Sequence, residues 1–149
     1  MIWFTHLNFA IMLSFLFGLD SNIWLLVFSL IPDIDNPNTL LGKFLPGISD
    51  YFYKTFGHRG LFHSIYWSLL LGLLSFVETN CLFMFVGYTS HIVLDLFTPS
   101  GVQLFYPNKA RFVIFDGPVE TSSAKDVIIG FIFMVLACVI VELGFSLKW

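Results

Sequence analysis

The chain has 149 residues, of which 57% are hydrophobic and only 11% are charged. Soluble domains carry about 25% charged residues, and a soluble domain of this length could not bury so much apolar surface. The net charge of −3 argues against a nucleic-acid-binding protein, which would present a basic face. We therefore expect residues 1–149 to form a single integral membrane domain, with membrane lipids as its partners.

Apolar stretches follow one another along the chain and predict an all-α integral membrane bundle of about five helices. They cover residues 2–19, 23–31, 60–77, 81–97 and 127–141, and the last extends toward 147. A complete span needs about 20 apolar residues, so the second stretch is too short unless it tilts or ends in a polar pocket. The first stretch lacks the basic start and the small-residue cleavage site of a signal peptide, which predicts a retained helix.

The connections between these stretches alternate between short and long. Short turns at 20–22 and 78–80 lie on one side, and long loops at 32–59 and 98–126 lie on the other. The long loops contain Lys43, Lys54, Arg59, Lys109, Arg111 and Lys125, whereas Lys148 lies elsewhere. The positive-inside rule then places the long loops and the N-terminus in the cytoplasm, and the C-terminus outside after five crossings.

Histidines and aspartates collect at the ends of the stretches that face this cytoplasmic side. The candidates are His6, Asp33, Asp35, His58, His63, His91 and Asp95. Ionisable groups at membrane depth are costly and usually functional. The pattern predicts a polar metal-binding pocket at the cytoplasmic interface, although His6 on its own could be an ordinary interfacial residue.

His91 and Asp95 are four residues apart in an apolar stretch, so they share one face of a helix. A neutral imidazole beside a carboxylate suits a metal, and the alternative is a hydrogen bond that satisfies two buried groups. Asp33 and Asp35 follow Pro32 in a segment expected to be non-helical. They converge only in a turn or around a shared cation, and the alternative is a turn with solvated side chains.

Residues 57–64 are the densest group of candidates. His58 and His63 diverge by roughly 140° on an ideal helix, so they converge only if His58 precedes the helix. Arg59 would then point into the same pocket, where its forked cation suits a phosphate or carboxylate; the alternative is a contact with lipid headgroups. Lys109 and Arg111, with Tyr106 and Phe112, are typical of an interfacial anchor.

These motifs together resemble a known family, the YdjM-like, LexA-regulated, membrane-bound metal-dependent hydrolases of inner membranes. The matching stretches are residues 30–37 (LIPDIDNP), 56–64 (FGHRGLFHS) and 87–101 (GYTSHIVLDLFTPSG), with Thr5-His6 and Tyr106-Pro107. Order and spacing agree over residues 1 to 126. The resemblance implies a metal-dependent hydrolase of the prokaryotic inner membrane. One departure is that Thr121–Asp126 replaces a Gly-Ser-x-x-Glu stretch common in the family, so Asp126 either replaces the glutamate or a ligand is missing.

The candidates exceed the roughly three protein ligands of one catalytic zinc, which leaves two arrangements open. Either two metals bind, or one metal binds and further carboxylates orient the histidines. The mixed N and O donors suit zinc, with manganese or iron as alternatives. A fainter likeness to helical zinc phospholipases C favours phosphoester substrates. The expected activity is hydrolysis of a lipid-like phosphoester, with Arg59 holding the phosphoryl group and Asp35 or Asp95 acting as base.

Two other functional classes compete with an enzyme. A divalent-metal transporter or channel also places His and Asp inside the membrane, but it needs polar groups at both faces, and the outer side offers little beyond Asp20, Glu78 and Glu142. A non-catalytic membrane scaffold would tolerate alanine at Asp33 or His91. The sequence leaves the oligomeric state open.

Overall fold

A computed structural model describes residues 1–19 and 22–144 of the chain. Seven α-helices occur in these ranges: α1 (Trp3–Leu16), α2 (Ile23–Phe28), α3 (Leu40–Phe44), α4 (Pro46–Phe56), α5 (Ile65–Leu74), α6 (Thr79–Asp95) and α7 (Ala124–Glu142). Two 3-10 turns, Ile31–Asp35 and Leu61–His63, lie between them. The described residues contain no strand beyond an isolated antiparallel bridge between Val102 and Phe112, which confirms the all-α class.

Polar side chains at the helix starts explain several of these boundaries. Ser64 caps α5 by accepting a hydrogen bond from the Tyr66 amide, and Ser123 caps α7 through the Asp126 amide. Such caps satisfy amides that have no partner within the helix. Proline occupies the first turn of α4, where its fixed φ and missing N–H cost nothing. Capping side chains and proline therefore determine where these helices begin.

Helix α1 packs along α7, and α6 packs between α2 and α5. Aromatic pairs join α1 to α7: the ring centroids of Phe4 and Phe131 are 5.1 Å apart, and those of Phe9 and Phe133 are 4.8 Å apart. Gly87 lets α6 approach α2 so closely that a Cβ there would lie 2.3 Å from the Leu25 carbonyl oxygen. Because α1 also contacts α6, the longest helices form one packed bundle.

One end of this bundle, here called the polar end, gathers the starts of α1, α5 and α7, the end of α6 and both 3-10 turns. The Ile2 amide donates to the Asp126 side chain over 2.9 Å, which joins the starts of α1 and α7. At the other end Nδ2 of Asn22 donates to Oδ1 of Asn80 over 3.5 Å, which brings the two short turns together. The helix ends that carry the histidines therefore lie on one side of the bundle, as predicted. Two residues of the first short turn, Asp20 and Ser21, lie outside the described residues.

The structure corrects several predicted boundaries. Residues 32–59 are not a plain loop, because α3 and α4 lie within them. Asp33 and Asp35 lie in a 3-10 turn rather than in a non-helical segment, since Pro32 is its second residue, where the missing N–H breaks no hydrogen bond of the turn. The helix expected from residue 60 begins only at Ile65, because the second 3-10 turn comes first.

A bundle of about five full spans is not confirmed. Among the described helices, α7 alone is long and apolar enough to cross a membrane, and α1 and α5 are shorter apolar helices. The six residues of α2 are far too few for a span. The last apolar stretch was expected to extend toward residue 147, but helix α7 ends at Glu142. Residues 145–149 lie outside the described part.

The distribution of polarity is nonetheless inverted relative to a soluble protein. Large apolar side chains such as Leu73 and Val135 are exposed on α5 and α7, whereas ionisable side chains such as those of Asp35, Arg59 and His63 are buried. Exposed apolar surface on this scale marks contact with a membrane or another protein. The buried ionisable residues collect at the polar end.

Candidate metal centre

Five separate parts of the chain deliver the candidate residues to one buried cluster at the polar end. The His/Asp cluster consists of His6 from α1, Asp33 and Asp35 from the first 3-10 turn, His58 from the loop after α4, His63 from the second 3-10 turn, and His91 and Asp95 from α6. All of these side chains are buried except that of His58, which is 28% exposed. The structure therefore brings together every histidine and aspartate that the sequence indicated as a candidate ligand.

Asp35 fixes the orientation of two imidazoles. Its Oδ1 lies 2.7 Å from Nδ1 of His58, and its Oδ2 lies 3.1 Å from Nδ1 of His63. An Nδ1–H that donates to a carboxylate leaves the lone pair on Nε2, which is the tautomer that metal-binding histidines use. His58 lies before the helix rather than in it, as the sequence spacing required for the two rings to converge.

His91 has the same orientation but a different partner. Its Nδ1 lies 2.7 Å from the backbone carbonyl of Ser29, so its Nε2 faces the cluster. That Nε2 is 3.8 Å from Oδ1 of Asp33 and 3.7 Å from Oδ2 of Asp95. The second distance confirms that His91 and Asp95 share one face of α6.

His6 completes the cluster from α1. Its ring stacks on that of His91 with centroids 3.7 Å apart, and its Nε2 lies 3.4 Å from Oδ1 of Asp95. The terminal ammonium of Met1 forms an ion pair with the same carboxylate. The side chain that looked weakest in the sequence therefore contacts two other cluster members.

Several buried atoms of the cluster have no hydrogen-bond partner in the described structure. They are both ring nitrogens of His6, Nε2 of His63 and Nε2 of His91. A buried polar atom without a partner costs about 1–3 kcal/mol, and native proteins rarely leave several together. All of these atoms are potential metal donors, so a cation bound among them would satisfy the group.

The spacing of the donors fits a metal. Three sets have ligand atoms that all lie within 4.8 Å of one another: His6–Asp33–His91, Asp33–His58–His63 and His63–His91–Asp95. Two donors about 2.0–2.1 Å from a tetrahedral zinc lie about 3.4 Å apart, so these sets need only small adjustments. The sets share members, so the cluster suits one ion or two neighbouring ions.

Burial and charge perturb the acids at the cluster. Burial raises the pKa of Asp33 to about 7, and the nearby Asp95 carboxylate adds to this. Burial also disfavours the charged form of Asp35, but the His63 charge and the hydrogen bonds from His58 and His63 outweigh it and hold the pKa of Asp35 below its usual value. The carboxylates thus rely on neighbouring positive charge, which a metal ion would also provide.

Arg59 contacts Asp95 instead of pointing into an open pocket. Its Nε lies 3.1 Å from Oδ2 and one terminal nitrogen lies 3.1 Å from Oδ1 of Asp95, while the other donates to Thr98. Arg59 has a φ of 63°, a strained region for a residue with a side chain, and its amide donates to Asp35 over 3.1 Å. This backbone turn sends the guanidinium toward α6 while its own amide contacts Asp35.

Asp126 lies outside the cluster. Its carboxylate accepts hydrogen bonds from the Ile2 amide at 2.9 Å, from the Thr5 hydroxyl at 2.7 Å and from the Ser122 amide at 3.0 Å. It belongs to none of the three donor sets. Its contacts join the starts of α1 and α7, so its role in this structure is to hold the two helices together.

Two contributors were not singled out in the sequence. The Ser29 carbonyl orients His91, and Thr98 positions Arg59. A backbone carbonyl leaves no signature in the identity of its residue, so only the fold reveals the first. Thr98 lies inside the motif at 87–101, and its place three residues after Asp95 was the available signal.

Comparison with known proteins agrees with the motif resemblance. The profile of a family described as YdjM inner membrane protein matches residues 1–147. The inner membrane proteins YdjM of Escherichia coli K12 and Shigella flexneri are each 39% identical over 94 residues, which cover 56% of this chain and 47% of theirs. The uncharacterized protein YvsG of Bacillus subtilis is 29% identical over 87 residues, which cover 56% of this chain and 54% of its own.

The chain thus spans about half the length of the curated relatives it matches. No solved structure matches it. The relatives are named by location or as uncharacterized, and none of these names states an activity. On the strength of the match over nearly its whole length, the chain belongs to the family of YdjM inner membrane proteins.

Proposed function

We propose that this protein is a metal-dependent hydrolase, and that it cleaves a phosphoester on a lipid or lipid-linked substrate at the cytoplasmic face of the inner membrane. One observation carries the proposal. Three imidazoles, those of His58, His63 and His91, have Nδ1 held by hydrogen bonds to Asp35 or to the Ser29 carbonyl, and Nε2 of His63 and His91 lies within 3.8 Å of the Asp33 or Asp95 carboxylate. This is the arrangement of a metal site with its supporting hydrogen bonds already made.

The donors suit a borderline metal. Imidazole nitrogens with carboxylate oxygens favour zinc, and also fit manganese or iron. His63, His91 and Asp95 would hold one ion, and Asp33 with His58 would complete a second position beside it. When bound, such an ion supplies Lewis acidity and lowers the pKa of water toward neutrality.

The remaining cluster residues have roles that follow from their contacts. Asp35 is a positioning residue, because its two oxygens hold His58 and His63 in the metal-binding tautomer. Arg59 offsets the charge of the buried Asp95 and fixes its two oxygens, which keeps that carboxylate pointed at His63 and His91. Asp33 lines a cleft of about 330 Å³ that opens beside the cluster.

A membrane-embedded substrate is supported by the surroundings of the cluster. The cluster lies at one end of a bundle whose outer faces are apolar, so an acyl chain can remain in lipid while its head group reaches the polar end. The basic residues at 43, 54, 109 and 111 lie in segments on the same end, which favours the cytoplasmic orientation.

A hydrolysis assay tests the proposal. Purified protein, loaded in turn with zinc, manganese and iron, is assayed against a panel of phosphoesters and carboxylic esters with lipid and water-soluble leaving groups. We expect metal-dependent release of phosphate from a lipid phosphoester, abolished in the variant His63→Ala, His91→Ala. Absence of hydrolysis across the panel, or equal hydrolysis by that variant, would overturn the proposal.

The same preparation addresses transport. The described acidic residues at the opposite end, Glu78 and Glu142, are exposed and form no second donor set, which disfavours a metal pathway through the bundle. Proteoliposomes that take up zinc or manganese without hydrolysing any substrate would replace the enzyme with a carrier.

A further inference from the structure

A cleft of about 490 Å³ opens to solvent beside the His/Asp cluster. Its walls include Tyr53, His58, Arg59, Ser100, Gln103 and Arg111. His58 is the only histidine of the described chain that is part-exposed, and it reaches solvent while remaining bonded to Asp35. This space, here called the Arg111 cleft, therefore touches the one cluster member that an outside molecule can approach.

The charge of the Arg111 cleft selects anions. None of its described lining residues is acidic, and two are arginines. The side chains of Tyr53, Ser100 and Gln103 add hydroxyl and amide donors. The cleft of about 330 Å³ on the other side of the cluster differs, because the Asp33 carboxylate lines it together with Lys43 and with Met1, whose ammonium is paired with Asp95. An anionic group would meet less repulsion in the Arg111 cleft.

Arg111 has the free donors that Arg59 lacks. Arg59 is buried and its guanidinium is committed to Asp95 and Thr98. Arg111 is exposed, and one of its nitrogens donates to the Ser100 carbonyl over 2.8 Å, which holds the side chain against the cleft wall. A guanidinium carries five N–H donors, so most of the Arg111 fork remains available to bind a phosphate in two-point fashion.

We infer that the Arg111 cleft is the phosphate-binding subsite of this protein and that Arg111 binds the phosphate. His58 lies between this subsite and the other candidate metal ligands. Arg111 is then a substrate-binding residue rather than the interfacial anchor that its sequence context indicates. That the cleft binds phosphate follows from its own residues. That this phosphate is part of a substrate rests on the proposed function.

Phosphate binding to metal-free protein tests the inference. Full-length protein stripped of metal is titrated with inorganic phosphate, and binding is followed by calorimetry. Charge-assisted hydrogen bonds from an arginine fork predict a loss of about tenfold or more in affinity for Arg111→Ala and a smaller loss for Arg111→Lys, which keeps the charge without the fork. Lys109→Ala is the matched control, because Lys109 is exposed two residues away and does not line the cleft.

Three results would overturn the inference: no phosphate binding by the wild type, unchanged affinity in Arg111→Ala, or an equal loss in Lys109→Ala. A second titration with dihexanoyl phosphatidic acid separates the sources of the phosphate. Tighter binding than inorganic phosphate, still dependent on Arg111, assigns the cleft to a lipid head group, and equal binding assigns it to phosphate in general.

The metal content of Arg111→Ala is measured in parallel and is expected to equal that of the wild type, because Arg111 contacts no cluster member in the described structure. Phosphate binding that depends on Arg111 in a protein without hydrolytic activity would refute the proposed function and leave the subsite standing. Activity that survives Arg111→Ala with an unchanged KM would refute the subsite and leave the hydrolase.

Discussion

The Asp35 carboxylate holds two imidazoles with one side chain, so the protonation pattern of the cluster depends on it. An aspartate can accept from both Nδ1–H groups, whereas an asparagine presents one oxygen and one NH2 group. The NH2 would donate to one imidazole and force its proton onto Nε2, which removes that lone pair from a metal.

Asp35→Asn is therefore expected to weaken metal binding about 10–100-fold, the usual cost of losing a supporting carboxylate. Competition titration of zinc against a chromophoric chelator measures the affinity. Asp50→Asn makes the same charge change at an exposed position of α4 and should bind zinc like the wild type. Equal affinity in Asp35→Asn would show that Asp35 does not set the tautomers.

At the scale of helices, Gly87 controls the approach of α2 to α6. A Cβ at this position would lie 2.3 Å from the Leu25 carbonyl oxygen and 3.0 Å from the Ser29 amide. Ser29, whose carbonyl orients His91, directly follows α2, so any separation of α2 from α6 also releases His91.

Gly87→Ala should lower the free energy of unfolding by about 1–3 kcal/mol, the usual cost of overpacking, and should weaken metal binding as well. Chemical unfolding in detergent and the zinc titration measure the two effects. Gly47→Ala is the control, because a Cβ at Gly47 in α4 has nothing within 4 Å and alanine favours a helix. A Gly87→Ala protein as stable as Gly47→Ala would contradict this packing.

Asp126 acts at the same scale, because it joins the starts of α1 and α7 through Ile2, Thr5 and Ser122. Asp126→Asn retains one acceptor but loses charge-assisted hydrogen bonds, so the thermal midpoint should fall while the metal content per folded chain stays unchanged. Elemental analysis of the monodisperse fraction checks the second point. Loss of metal at an unchanged midpoint would instead make Asp126 a ligand.

Local sequence patterns predicted many of the helices and shared faces. They could not predict features that depend on backbone conformation or on the packing of distant segments. The i, i+4 spacing of His91 and Asp95 and the apolar stretches predicted shared faces and helices correctly. The pairing of Arg59 with Asp95 was not predictable, because it depends on a positive φ at Arg59 and on how far α6 lies from the second 3-10 turn. The late start of α5 was hidden because apolar side chains occupy the 3-10 turn as they would a helix.

For the whole molecule, we propose that the polar end faces the cytoplasm, because the long segments at that end carry most of the basic residues. In a background with Cys81→Ser and Cys138→Ser, Val77→Cys at the turn after α5 should react with a membrane-impermeant maleimide in intact spheroplasts. Asn108→Cys in the segment at 98–126 should react only after permeabilisation. Both positions are exposed, so the reverse pattern would place the cluster on the outer face.

The convergence of four histidines and three aspartates from distant parts of the chain gives the molecule its central property, a buried site with unpartnered donors. Elemental analysis of the purified chain after dialysis in metal-free buffer tests it most directly. We expect about one to two equivalents of a divalent metal per wild-type chain and almost none in the folded variant His63→Ala, His91→Ala. A wild-type chain without metal, or a variant that retains the full amount, would contradict it.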